Sequence, residues 1–107
     1  MDSFIIIRTQ FEGVHWWEDA PEEVNFLRYP HRHLFKIAAK IYVTHSNREL
    51  EFFMVKHKID LFCKKIKLES CESIAAQIAE YLIKNYGSRQ MSIEVSEDGE
   101  NCGGVEI

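Results

Sequence analysis

The sequence contains no CxxC pair and only three cysteines, Cys63, Cys71 and Cys102. An odd set without close pairing argues against a disulfide framework and points to a reducing cytosol. A basic excess is missing too, since the formal net charge is −4. General nucleic-acid binding draws on a basic face that displaces counterions, so no nucleic-acid partner is expected. No apolar run approaches the roughly 18 residues of a membrane span. Met1-Asp2-Ser3-Phe4 carries no basic region ahead of its short apolar run, so neither a membrane partner nor a signal peptide is expected. The expected compartment is cytoplasmic. Internal repeats, linkers and low-complexity tracts are also lacking. Apolar residues, by contrast, make up 46% of the chain, enough for a globular core. The length of 107 residues suits a single domain over 1–107, but it is small for a site enclosed by one subunit.

Phe4 to His15 reads as a strand, with Ile5, Ile7, Thr9, Phe11, Gly13 and His15 on one side. Glu18 to Pro30 is acidic, contains Pro21, and reads as a loop. A second strand is expected from His31 to about Thr44, with Phe35, Ile37, Ala39, Ile41 and Val43 continuing the side of His31 and His33. Ser46-Asn47 marks a turn, and Glu49 to Met54 is expected to return as a short strand. From Val55 the period becomes helical, through Ile59, Phe62 and Ile66. Ser70 reads as the N-cap of a second helix, whose stripe is Ile74, Ile78, Leu82 and Tyr86 and whose end is Gly87. Met91 to Glu97 is a further strand. Asp98-Gly99 and Gly103-Gly104 bracket a loop, and Val105 to Ile107 forms a last edge strand. Strands, then helices, then strands predict an α+β domain in ββααββ order, with a curved antiparallel sheet of about four strands and two helices on one face.

Several polar residues break this apolar pattern. His31 and His33 lie two apart at the head of a long apolar run, so both imidazoles face one side of the sheet. His15 ends the first strand and approaches the pair if the two strands are neighbours. Three imidazoles with an open fourth position form the ligand set of a catalytic zinc site. Zinc polarises a bound oxygen without redox chemistry. Glu97 extends an apolar line, which is unusual for a carboxylate.

Phe11-Glu12-Gly13-Val14-His15, together with Arg28-Tyr29-Pro30-His31-Arg32-His33-Leu34-Phe35, resembles the tetrahydropterin synthase family. That family includes the 6-pyruvoyl- and 6-carboxy-tetrahydropterin synthases, the latter of the queuosine pathway. Its first strand carries an F-x-A-x-H pattern, and its second opens with H-G-H before an apolar run. The resemblance implies Zn2+ held by His15, His31 and His33. Downstream, Glu69-Ser70-Cys71-Glu72-Ser73-Ile74-Ala75 is similar to the family's P-T-S-E-N-x-A helix start, and Ile93-Glu94-Val95-Ser96-Glu97 to its V-x-V-x-E strand. On that likeness Glu97 and Glu72 are substrate-binding residues, with Glu97 accepting paired N–H bonds from the amino-pyrimidine edge of a pterin or guanine-like ring. The implied fold is the T-fold, and the implied assembly is a homo-oligomeric ring, such as a hexamer, with sites between subunits. The implied activity is that of a zinc-dependent lyase acting on a dihydroneopterin triphosphate-like ligand.

The chain departs from the family where catalysis is concerned. Asn25 to Pro30 holds no counterpart of the family's catalytic cysteine, and the segment between the helices holds no Asp-His dyad. Glu23 (or its neighbour Glu22) and His57 with Asp60 are candidate catalytic replacements, and Cys71 at a helix start is a third. The alternative function is an inactive pterin- or purine-binding or assembly protein that keeps the metal site.

Overall fold

The computed structural model describes residues 1–107. Four strands, β1 (Ser3–His15), β2 (His31–Val43), β3 (Met91–Glu97) and β4 (Cys102–Glu106), form one antiparallel sheet in the order β1-β2-β3-β4. Two helices, α1 (Phe52–Cys63) and α2 (Cys71–Tyr86), lie between β2 and β3 in sequence. The predicted α+β class is therefore observed, with a curved, unclosed sheet.

Alternation along the strands decides which face is covered. Ile7, Phe35, Ile37, Ala39, Ile41, Met91, Ile93 and Val95 are all buried, and they point to the helices. A slip of one residue would turn each of them to the opposite face, so the apolar pattern fixes the register. The helices return matching stripes. Val55, Ile59 and Cys63 of α1 are buried at intervals of four, and Ile74, Ile78 and Leu82 of α2 are wholly buried. Ser70 caps α2 by accepting a hydrogen bond from the Ser73 N–H. Gly87 ends the helix with φ 83°, a conformation that glycine adopts without a Cβ penalty.

Three local expectations are corrected. Glu49 to Met54 is not a strand: Glu51 accepts from the Met54 N–H and caps α1, which starts at Phe52. Phe52, Phe53 and Met54 are exposed on its first turn, so their apolar character reflects no sheet pairing. The stretch read as a loop holds a short 3-10 helix, Glu22–Arg28. The Gly103-Gly104 pair lies within β4, where Gly104 pairs with Glu94 and Gly103 with Val95. A Cβ on Gly104 would stand 2.3 Å from the Ile93 carbonyl oxygen, so the strand can run there only as glycine.

Candidate metal centre

The β1–β2 ladder places the histidines. His15 pairs directly with His31, and Gly13 with His33, so all three imidazoles stand on the helix-covered face at one end of the sheet. One ring nitrogen from each lies within 4.8 Å of the others. The rings meet edge to face, with centroids 4.5, 5.0 and 5.2 Å apart. Beneath them is Phe35, which is fully buried and has its ring centre 5.2 Å from that of His15.

The second nitrogen of each ring fixes the tautomer. His15 Nδ1 lies 2.9 Å from the Glu69 carbonyl oxygen, and His31 Nδ1 lies 2.8 Å from the Tyr29 carbonyl oxygen. His33 Nδ1 lies 2.7 Å from Asp98 Oδ2. Carbonyl and carboxylate oxygens only accept, so each Nδ1 carries its proton and donates it. In the neutral ring, the form that binds metal, Nε2 is then the nitrogen that keeps a lone pair. This is the outer-shell pattern that orients metal-binding histidines.

Glu97 sharpens the point. Its Oε2 stands 3.1 Å from His15 Nε2 and 3.6 Å from His33 Nε2. The His15 side chain is 10% exposed, and its Nε2 is buried without a hydrogen-bond partner. A carboxylate oxygen thus faces two ring nitrogens. Such a group is satisfied by a proton on Nε2 or by a metal cation among the rings, and is repulsive with neither. The three imidazoles lie close enough together to form a metal site.

Asp98 serves two positions at once. Its Oδ2 meets His33, and its Oδ1 accepts from the Leu34 N–H at 2.8 Å. Those two hydrogen bonds, the Leu34 one first, hold its carboxyl below the usual aspartate range. The residue turns the chain with φ 58°, which aspartate tolerates better than most residues.

A cleft of about 1050 Å³ opens beside the trio and is lined by His15, His31, Trp16, Trp17, Glu72 and Glu97, among others. Both carboxylates named from the sequence as ligand-binding therefore reach one cleft with two of the three histidines. Glu72 depends on a neighbour to do so. A Cβ on Gly103 would come within 2.4 Å of Glu72 Oε1, so the bare strand leaves room for the carboxylate.

The candidate catalytic residues are placed elsewhere. Glu23 is exposed on the 3-10 helix and does not line the cleft, while Glu22 is paired with Arg28 at 3.3 Å. His57 is exposed on α1. Asp60 turns inward and accepts from Thr9 Oγ1 on β1, so it does not build a dyad with His57. Cys71 does line the cleft, but burial, then the Glu97 and Glu72 carboxylates, push its thiol up to about 11. The helix start does not outweigh those effects, so the residue is a thiol and not a ready nucleophile. The histidine partners Glu69, Tyr29 and Asp98 had no sequence signal as such, although Asp98 was visible as a turn residue.

No helix is long and apolar enough to cross a membrane. No family model matches the chain, and no curated protein matches it.

Proposed function

We propose that the chain is a zinc-binding protein of the tetrahydropterin synthase type that binds a pterin or guanine-like ring between subunits of a homo-oligomer. The observation that carries this reading is the gathering of three imidazoles, one nitrogen from each within 4.8 Å of the others, with each Nδ1 held by a separate acceptor. His15, His31 and His33 would hold the ion, which when bound supplies Lewis-acid polarisation of a ligand hydroxyl or carbonyl oxygen. Glu97 Oε2, beside His15 and His33, is the atom placed to take a proton from that hydroxyl or to return it. Glu72, in the same cleft, would accept N–H bonds from the ring edge.

The open sheet supports an assembly. The strand order leaves β1 and β4 each with one unpaired edge, and edges of this kind pair readily with another copy. Phe26 and Tyr29, next to the histidines in sequence, are 66% and 69% exposed, as interface aromatics are before a partner covers them.

Binding is favoured over turnover by the position of the titratable groups. Glu23 and His57 lie off the cleft and Cys71 is held protonated, so none of the three candidate replacements is a ready acid or base beside the trio. Zinc content and native mass test the proposal together. About one zinc per chain is expected in an oligomer, with His31→Ala losing the metal and keeping the fold. Wild-type protein that takes up no zinc when the ion is supplied overturns the reading. Turnover of dihydroneopterin triphosphate at the rate of an authentic synthase would return the lyase reading to first place.

A further inference from the structure

The charge around the cleft narrows its ligand. Five carboxylates of this chain line it, those of Glu18, Asp19, Glu69, Glu72 and Glu97, and no lysine or arginine of the same chain does. The nearby Arg28 is committed elsewhere: its Nε donates to the Ala20 carbonyl at 2.8 Å, and its guanidinium pairs with Glu22. Carboxylates are anions at neutral pH, and a divalent ion on the trio offsets only part of their charge. A triphosphate would bring several negative charges into a negative cleft, and like charges brought together at a binding surface raise the free energy of the wrong partner. Donor-rich groups, amino and ring N–H, find carboxylate acceptors there.

The same cleft has an aromatic wall. Trp16 and Trp17 line it while remaining 53% and 51% exposed. Their loop is not slack. The Trp17 N–H donates to the Leu27 carbonyl at 2.7 Å, and the Trp17 carbonyl accepts from the Ala20 N–H at 3.1 Å. Two half-exposed indoles on a pinned backbone offer a flat face for a planar ring. The His15 and His31 imidazoles form the end of that space nearest the trio.

We infer that this cleft takes a phosphate-free, neutral or cationic amino-pyrimidine heterocycle and rejects its triphosphate form. This rests on the pterin-type reading above and changes its ligand, since the family resemblance alone implies a triphosphate.

The test uses the zinc-loaded full chain in its native oligomer, titrated with 7,8-dihydroneopterin and, separately, with 7,8-dihydroneopterin triphosphate. Both of the chain's tryptophans line the cleft, so intrinsic fluorescence follows occupancy alongside calorimetry. The phosphate-free compound is expected to bind at least about tenfold more tightly. Added salt should narrow the gap by screening the repulsion. A Glu18→Gln/Asp19→Asn double variant, both residues being exposed in a loop, should narrow it as well. Equal or tighter binding of the triphosphate overturns this inference and leaves the ring-binding reading standing. A gap that neither salt nor the double variant alters overturns the electrostatic cause and the inference with it. Failure of both compounds to bind overturns the inference and the ring-binding reading together, while zinc content still reports on the metal site.

Discussion

Replacing Asp98 by Asn tests the tautomer logic on which the metal centre depends. The aspartate carboxylate accepts from two donors, His33 Nδ1 at 2.7 Å and the Leu34 N–H at 2.8 Å. An asparagine side chain has one acceptor oxygen and one NH2 donor. The Leu34 N–H cannot change its role. If the amide oxygen stays with Leu34, the NH2 faces His33 Nδ1 and favours the tautomer with the proton on Nε2. His33 then turns an N–H, not a lone pair, toward His15 and Glu97. If the amide flips, the Leu34 N–H loses its acceptor and faces another donor. Either outcome loosens the third ligand, and substitutions at such outer positions weaken metal binding by about 10–100-fold. Competition for zinc against a calibrated chelator measures the loss. Nitrogen chemical shifts of the imidazoles, read in the zinc-free protein, report the tautomer directly. Unchanged zinc affinity, with His33 still protonated on Nδ1, would refute the reasoning.

Three other substitutions probe different levels of the structure. Ile78→Ala removes a wholly buried side chain from the face of α2 and should cost about 2–5 kcal/mol in urea unfolding; a loss under ~1 kcal/mol would contradict its place in the core. Gly103→Ala puts a methyl where the Glu72 carboxylate lies, so dihydroneopterin affinity should fall while zinc content stays the same; unchanged affinity would remove Glu72 from the ligand's contacts. Glu49 accepts from Thr44 and Arg89, and these hydrogen bonds, Thr44's first, lower its pKa from 4.5 to about 2. Its folded value lies below the unfolded one, so its contribution is complete above pH 4.5 and fades as pH falls toward about 2. The difference in urea midpoint between wild type and Glu49→Gln should shrink across that window, and a difference that is constant with pH would contradict the assignment.

The strands and the α2 cap were legible in the sequence because short-range chemistry sets them. Alternation along β2 assigns Phe35 to Ile41 to one face whatever the partner strand, and Ser70 reaches a donor only three residues away. The errors have two causes, a local cap that overrides apolar composition and a close approach made by residues far off in the chain. Phe52-Phe53-Met54 has strand-like composition, but Glu51 bonded to the Met54 N–H starts a helix there. Gly103-Gly104 resembles a loop until Glu72 from α2 and the Ile93 carbonyl from β3 are brought against it. Glycine then marks close approach, which composition cannot distinguish from a turn.

The metal centre divides along the same line. His15, His31 and His33 were visible because a period of two fixes their side and the β1–β2 pairing supplies the rest. The groups that orient their rings were not visible. Two of the three Nδ1 acceptors are backbone carbonyls, of Tyr29 and Glu69, and every residue type carries one. The third, Asp98, lies 65 positions from His33 and reaches it because β3 pairs with β2 as far as Phe35 and Glu97. That pairing also sets the Glu97 carboxylate against the Nε2 atoms of His15 and His33. A register shift of two residues between β2 and β3 would keep every apolar side chain on its face. It would still part Asp98 from His33 and Glu97 from the trio. The sheet therefore needs its apolar pattern only to fold, whereas the candidate site needs this one register to bring its residues together.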